Sequence, residues 1–78
     1  MAKKLTDLMA EVFGVEQSKI TDDTTQNEVE NWNSLNTLLL IDEIEKEYNV
    51  KLSLDDVTEI TSVFDIKKIL GKQNVNLD

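Results

Sequence analysis

Cysteine, histidine, arginine and proline are all absent from this chain of 78 residues, and only two glycines occur. Without cysteine or histidine the chain can form no disulfide and none of the usual zinc sites. No apolar run approaches the roughly 20 residues that cross a bilayer. Residues 1–14 lack the long apolar stretch and cleavage site of a signal peptide. We therefore expect a cytoplasmic protein.

The missing side chains also limit the chemistry that the chain can perform. A catalytic serine needs a base to take its proton, and only carboxylates, lysines and hydroxyls remain for such work. Paired carboxylates need a cleft that perturbs their pKa values, and so short a chain has little room for one. Residues 22–30 are rich in oxygen but lack the central glycine and ligand spacing of a calcium loop. We expect neither an enzyme nor a metal site.

Negative charge is concentrated in the middle of the chain. The 16 acidic residues outnumber the 8 lysines, which gives a formal net charge of −8. Residues 22–59 hold eleven acids and two lysines, a net of −9, and the two ends together hold five acids and six lysines, a net of +1. Such a surface repels nucleic acid and anionic lipid and attracts basic protein patches, although acidity also simply keeps small proteins soluble. From charge alone we favour the second explanation, solubility, over basic protein partners. We expect neither nucleic acid nor a membrane as a partner, and we expect a monomer.

The first predicted helix is followed by a long polar loop. Its apolar residues recur at i, i+3, i+4, i+7 and i+8, namely Leu5, Leu8, Met9, Val12 and Phe13. Gly14 suits the C-terminal end of this helix. Residues 21–33 are too polar for a core element, so we expect a long loop that Val29 and Trp32 attach to the core.

The second predicted helix runs from about Ser34 to Tyr48. Asn31 or Asn33 can cap its start, because a short polar side chain accepts hydrogen bonds from the unpaired N–H groups of a first turn. We expect the helix to end at Asn49.

Two further helices are predicted after residue 52. Ser53 followed by Asp56 resembles a capping box, which favours a short third helix. Thr61 or Ser62 can cap a fourth helix that ends at Gly71. The apolar residues of this fourth helix are Val63, Ile66, Ile69 and Leu70.

These elements predict an all-α fold: a four-helix bundle of three main helices and one short helix, with a long loop after the first. The chain length allows one domain, residues 1–78, and we expect the tail to fray from about residue 73.

The second helix has more apolar residues than one core face can hold. Helical rotation of about 100° per residue groups one set as the core face: Thr37, Leu40, Ile41, Ile44 and Tyr48. A second set faces roughly 160° away: Leu35, Leu38, Leu39 and Asp42. Either the long loop covers Leu38 and Leu39 through Val29 or Trp32, or the two leucines form an exposed strip for a partner.

Ser34 stands where the polar loop becomes helical. A serine in this position is most often a first-turn or capping residue. The start of a helix also offers unpaired N–H groups and the positive end of the helix dipole, which favour an attached phosphate. Ser34 is therefore suited to modification by another protein.

The order of segments around Ser34 resembles one known family. The motif NSL, residues 33–35, is followed by a long acidic helix that ends in an aromatic residue, then by an apolar segment and two more helices. Here this order reads WNSLNTLLLIDEIEKEYNVKLSLDDVTEITSVFDIKKIL, without a gap. It resembles the acyl carrier proteins, a family that includes the peptidyl carrier proteins. The resemblance covers nearly the whole chain and is strongest from Trp32 to Leu70.

The resemblance implies a covalent cofactor and several partners. A separate phosphopantetheinyl transferase would attach 4′-phosphopantetheine from coenzyme A to Ser34, and the thiol of that arm would carry an acyl or aminoacyl group as a thioester. A loading ligase and downstream synthase or transferase enzymes would then meet the carrier. The family's contact positions imply these partner-binding residues: Asn33, Leu35, Leu38, Leu39, Asp42, Glu43, Glu45, Glu47, Leu52 and Asp56.

Three residues depart from the usual pattern of the fatty-acid carriers. Asn33 replaces the usual aspartate before the serine, and Leu39 stands where an acid is common. Trp32 is more similar to peptidyl and specialised carriers. We therefore expect a carrier that serves a dedicated pathway, and the alternative is an acidic helical interaction module that carries nothing.

Overall fold

The structure, a computed structural model, describes residues 4–75. Within this range it contains four α-helices: α1 (Leu5–Phe13), α2 (Ser34–Tyr48), α3 (Leu54–Thr58) and α4 (Val63–Lys72). Two short 3₁₀ helices, Gln17–Lys19 and Gln26–Glu28, lie in the long connection between α1 and α2. No strand occurs among these residues beyond a single bridge between Thr25 and Ser62. The predicted all-α fold of three main helices and one short helix is confirmed.

Short polar side chains and one glycine define the ends of α1 and α2. Gly14 ends α1 in the left-handed conformation, with φ 68°, which glycine adopts at little cost. Asn33 caps α2, since its Oδ1 accepts the Asn36 N–H at 2.9 Å. Asn31, the other predicted cap, instead donates to the Phe13 carbonyl at 2.9 Å. Asn49 stops α2 in the left-handed conformation, with φ 55°.

The third helix begins with the predicted capping box. The Ser53 Oγ accepts the Asp56 N–H at 3.1 Å, and the Asp56 carboxylate accepts the Ser53 N–H at 3.2 Å. Ser62, rather than Thr61, caps α4 by accepting the Asp65 N–H at 3.1 Å.

Gly71 does not end α4, and the prediction of its C-terminus was wrong. The helix continues through Gly71 to Lys72, and Gln73 follows as its cap. The left-handed residue needed to leave the helix is Asn74, with φ 64°, so Gly71 keeps an ordinary helical conformation. Val75 then packs against the core and donates its N–H to the Leu70 carbonyl at 3.1 Å. The last three residues of the tail that we expected to fray, 76–78, lie outside the described range.

The core draws on every α-helix except α3 for fully buried residues and includes parts of the long loop. Its apolar members are buried: Leu5, Leu8, Met9, Phe13, Ile20, Val29, Trp32, Leu40, Ile41, Ile44, Ile60, Val63, Ile66, Ile69 and Leu70. The short α3 has no buried residue of its own, but Val57 is partly buried and packs on this cluster. The periodic positions predicted for α1 and α4 are therefore the buried ones, except for Val12, which is only partly buried at the edge of the core.

The long loop is attached to the core by side chains and to α4 by its backbone. Trp32 stacks on Phe13 with ring centroids 5.2 Å apart, and Val29 is buried beside it in the core cluster. The Gln26 N–H donates to the Thr61 carbonyl at 2.8 Å, and the Val63 N–H donates to the Thr24 carbonyl at 3.0 Å. The predicted attachment through Val29 and Trp32 is confirmed, and it holds the segment that leads into α2.

The two faces of α2 separate as predicted. Thr37, Leu40, Ile41 and Ile44 are buried, and Tyr48 is partly buried against the core. Leu38 and Leu39 remain 58% and 50% exposed, since Val29 and Trp32 turn into the core and do not cover them. Of the two alternatives for these leucines, the exposed strip is the one found.

Three adjacent leucines on α2 provide a matched test of this separation. Leu40→Ala removes a fully buried side chain and should lower the free energy of unfolding by about 2–5 kcal/mol. Leu38→Ala and Leu39→Ala should each change it by no more than about 0.5 kcal/mol, because both side chains already face water. Urea denaturation followed by circular dichroism measures all three. A loss at Leu38 or Leu39 equal to that at Leu40 would mean that the leucine is covered.

A carboxylate fastens the turn between α3 and α4. The Asp65 Oδ2 accepts the Thr61 hydroxyl at 2.8 Å and the Thr61 N–H at 3.0 Å. These bonds favour the ionised form and lower the pKa of Asp65 below its ordinary value of 3.8. Because the pKa is lower in the folded state, Asp65 stabilises the fold above that value and loses its contribution as the pH falls through the folded pKa.

The Asp65→Asn variant should therefore show a weaker pH dependence of stability in acid. Its unfolding free energy should be lower than that of the parent chain at neutral pH, and the difference should shrink as the pH falls below about 3.8. Asp23→Asn is the control, since the Asp23 carboxylate accepts no hydrogen bond from residues 4–75. Parallel stability curves for parent and Asp65→Asn between neutral pH and acid would contradict this role.

Candidate functional site

Ser34 is the first residue of α2, and its side chain is exposed. Asn33 performs the capping: its side chain accepts the Asn36 N–H, and its carbonyl accepts the Thr37 N–H and the Thr37 hydroxyl, both at 2.8 Å. The Ser34 hydroxyl makes no hydrogen bond with any described residue. The hydroxyl is therefore available to an incoming reagent. Its modification would leave the helix cap intact, because Asn33 provides that cap.

Hydrogen bonds from neighbouring amides hold the backbone just before Ser34. Gln26 donates through Nε2 to the Trp32 carbonyl at 3.2 Å, and Asn36 donates through Nδ2 to the Asn31 carbonyl at 2.7 Å. Together with the buried Trp32 ring, these contacts place the start of α2 on a rigid support. A reactive group on such a support keeps its position when a partner arrives.

The N-terminus of α2 is electrostatically suited to an anion. The backbone N–H groups of Ser34 and Leu35 donate no hydrogen bond to any residue that the structure describes. The dipole of this helix of 15 residues adds partial positive charge at the same end. A phosphate on the Ser34 oxygen would stand beside these groups, so the start of α2 fits a phosphodiester attached there.

A shallow groove of about 310 Å³ begins at Ser34 and runs between α2 and α3. Its lining residues are Gln26, Ser34, Thr37, Leu38, Val57, Thr58 and Ile60. Both polar and apolar side chains line it, so it can contact both amide groups and methylenes. The groove supplies no base within the described residues that could activate the serine, which is the pattern of a residue modified by a separate enzyme rather than of a catalytic nucleophile.

Three leucines form an exposed apolar strip on α2 next to Ser34. Leu35, Leu38 and Leu39 are 68%, 58% and 50% exposed. Leu38 contributes to the groove beside Ser34. Leu39 lies in a second groove of about 400 Å³ against α1, which is lined by Glu11, Val12, Leu39, Asp42 and Glu43. The strip therefore reaches from the serine across to α1.

The acidic residues predicted for partner contacts have different local roles. Glu43 is exposed, and Asp42 is also exposed and pairs with Lys46 at 3.0 Å. That hydrogen bond raises the pKa of Lys46 above its ordinary value. Glu45 accepts the Leu52 N–H at 2.9 Å and so fastens the segment after α2.

The other two predicted acids are also partly enclosed by the fold. Asp56 is engaged in the capping box of α3. Glu47 is half-buried near the end of α2. The acids that present their carboxylates most openly are thus the pair in the middle of the helix, Asp42 and Glu43.

Leu54, which no sequence pattern singled out, is the most exposed of the large apolar residues described, at 79%. Leu52, the residue predicted for this region, is half-buried and packs on the core. Leu54 precedes Val57 and Thr58 by three and four residues on α3, so all three share one side of that helix. The predicted capping box at Ser53 could have revealed this, because it makes Leu54 the first helical residue.

Residues 4–75 match neither the pattern of a metal site nor that of a membrane-spanning helix. No cluster of three potential metal ligands occurs in this range. None of the helices described is both long and apolar enough to cross a membrane.

Comparisons with known proteins identify the family. A family model described as a phosphopantetheine attachment site matches residues 3–70. The solution NMR structure of the holo acyl carrier protein from Geobacter metallireducens is similar, with a TM-score of 0.79 and 27% sequence identity over 90% of this chain and 80% of that chain. The chain thus belongs to the acyl carrier protein family: it is a carrier and not an enzyme, and 4′-phosphopantetheine is its covalent prosthetic group.

Proposed function

We propose that Ser34 is the residue to which 4′-phosphopantetheine is attached, and that the chain carries acyl or aminoacyl intermediates on this arm. The observation that carries the proposal is that two adjacent residues have separate roles. Asn33 caps α2, and the exposed Ser34 hydroxyl has no partner among the described residues. When attached, the group supplies a thiol that holds the cargo as a thioester, which a chain without cysteine cannot supply itself.

The surroundings of Ser34 fit the phosphate and the adjoining arm of this prosthetic group. The Ser34 and Leu35 N–H groups and the dipole of α2 favour the phosphate. The groove beside Ser34 offers an amide and hydroxyls from Gln26, Thr37 and Thr58, and apolar surface from Leu38, Val57 and Ile60. This mixture matches an arm in which amide groups alternate with methylenes.

The surface around Ser34 supports a role in partner recognition. An interface with an apolar centre and a charged rim suits the leucine strip and its acidic neighbours, and the complementary surface would be basic. We assign contacts with a phosphopantetheinyl transferase, a loading ligase and downstream enzymes to Asn33, Leu35, Leu38, Leu39, Asp42, Glu43 and Leu54. Glu45, Glu47, Leu52 and Asp56 would act mainly by holding this surface in place, because each is half-buried.

The departures from the fatty-acid carriers favour service in a dedicated pathway. Leu39 replaces an acid and widens the apolar strip towards α1, where Val12 lines the same groove. Trp32 lies in the core against Phe13 and so contributes to the support of the site rather than to its surface. Specificity of this kind comes from a changed contact surface on an unchanged fold. We propose that residues 1–78 act as one carrier domain.

Mass spectrometry can test the attachment site. The chain incubated with coenzyme A, magnesium and a broad-specificity phosphopantetheinyl transferase should gain the mass of one phosphopantetheine, and peptide mapping should locate it at Ser34. Ser34→Ala should abolish the gain without unfolding the chain, because the cap at Asn33 remains. Ser18→Ala, at an exposed serine outside α2, should be modified like the parent chain. Modification of the Ser34→Ala variant would disprove the assignment.

Substitutions at Asn33 should separate the cap from the charge at this position. Asn33→Asp keeps a capping oxygen and adds a negative charge for a basic transferase, so we expect modification at least as fast as in the parent and little change in stability. Asn33→Ala removes the cap and should lower the free energy of unfolding by about 1 kcal/mol. Initial rates of mass gain and urea denaturation measure the two effects. Should Asn33→Ala prove as stable as the parent chain, the cap contributes nothing.

A further inference from the structure

The outer face of α4 combines an exposed aromatic ring with positive charge. Phe64 is 64% exposed, whereas Phe13 and Trp32 are buried. On so small a domain, an aromatic ring that is mostly exposed to water is unusual and indicates a contact surface. Residues of this type are enriched at the centres of protein interfaces.

Lysines surround Phe64 on the same side of the helix. With about 100° of rotation per residue, the outward sector of about 140° contains five residues: Phe64, Lys67, Lys68, Gly71 and Lys72. The four buried residues of α4 and Asp65 occupy the remainder. Gly71 follows Phe64 by seven residues, or two turns. A Cβ at Gly71 would meet nothing within 4 Å, so the surface between the lysines is uncovered there. We call these five residues the α4 face.

The α4 face has a charge opposite to that of the chain as a whole. The helix holds three lysines and one acid, Asp65, so its formal net charge is +2 in a chain of −8. The Asp65 carboxylate is bonded to Thr61, and Lys67 pairs with the exposed Asp22. Lys68 and Lys72 form no ion pair with any residue in the described range, and they remain available for an external carboxylate.

We propose that the α4 face is a second docking surface, and that its occupant is an acidic helical segment of a partner protein with aliphatic side chains between its carboxylates. An aliphatic side chain of this segment would pack on Phe64, and the backbone of the segment would pass over Gly71. Its carboxylates would meet Lys68 and Lys72. Exposed charges interact over about 8 Å at physiological salt, so the distant acids of the chain would not prevent this contact.

The α4 face is distinct from the surface that handles the cargo. Neither the groove beside Ser34 nor the groove beside Leu39 includes a residue of α4. The surface around α2 is acidic and selects basic partners, whereas the α4 face selects acidic ones. A carrier with both surfaces can be retained by one protein while others act on Ser34.

A titration followed by NMR tests this inference on the full-length chain. The probe is an acetylated and amidated helical peptide with glutamates on both sides of a row of leucines, added to the ¹⁵N-labelled chain. We expect saturable shifts centred on Phe64, Lys68, Gly71 and Lys72, and binding that weakens at least about fivefold between about 20 mM and about 300 mM sodium chloride. A matched peptide with glutamine in place of glutamate should bind at least about fivefold more weakly.

Variants separate the aromatic and charged contributions. Phe64→Ala should weaken binding at least about fivefold, as at a hot-spot residue, and Lys68→Glu combined with Lys72→Glu should abolish it. The controls are Leu54→Ala, at another exposed apolar residue, and Lys19→Glu combined with Lys51→Glu, at exposed lysines outside α4. Both should bind like the parent chain, and circular dichroism should show that every variant is folded.

Several outcomes would overturn the proposal. They are an absence of saturable shifts, shifts centred on α2, equal binding of the glutamine peptide, or an effect of the control variants equal to that of Phe64→Ala. Broad signals in the α4 face that depend on the concentration of the chain alone would instead assign the face to a second copy. None of these results depends on the modification of Ser34, so the proposed function and this inference can fail separately.

Discussion

The stack of Trp32 on Phe13 is the contact on which the site depends. It joins the last residue of α1 to the segment that leads into α2, with ring centroids 5.2 Å apart. Asn31 strengthens the same junction by donating to the Phe13 carbonyl. Without this contact, a loop of this length would keep many conformations in the folded chain. Because the end of the loop is held against the core, the start of α2 is fixed at Ser34, whose side chain is exposed.

A second constraint is that α2 can bury only one of its sides. The core accepts Thr37, Leu40, Ile41 and Ile44, so the other leucines of the same run must face outward. Exposed leucines reduce solubility, and the neighbouring carboxylates offset this. The same arrangement produces a surface with an apolar centre and a charged rim, which is the anatomy of a protein interface. The surplus leucines and the high acidity of the chain therefore have one explanation.

The distribution of charge over the fold gives the carrier two kinds of surface. The acids Asp42 and Glu43 lie beside Leu39 on the outer side of α2, while the lysines of α4 surround Phe64 on a different helix. Opposite charges on separate helices limit which partner can bind at each, since like charges brought together are costly. A small domain without catalytic groups thus acts through the placement of its surfaces.

The sequence by itself determined the helices, because their ends depend on local chemistry. Apolar spacing located α1 and α4, and the side chains of Asn33, Ser53 and Ser62 cap helices that begin within one residue of where propensity places them. The position of Ser34 and the two faces of α2 followed from the same helical period. Gly71 was misleading, since a glycine near a helix end need not adopt the left-handed conformation that Asn74 supplies here.

Only the tertiary structure decided which apolar side chains are covered. Leu52 and Leu54 are the same residue type two positions apart, yet one packs on the core and the other is exposed. Leu39 and Phe64 could equally have been buried by the loop or by a neighbouring helix. Periodicity describes which side of a helix a residue occupies, but burial depends on what other segments of the chain place against that side. That information lies in long-range packing, which no local pattern contains.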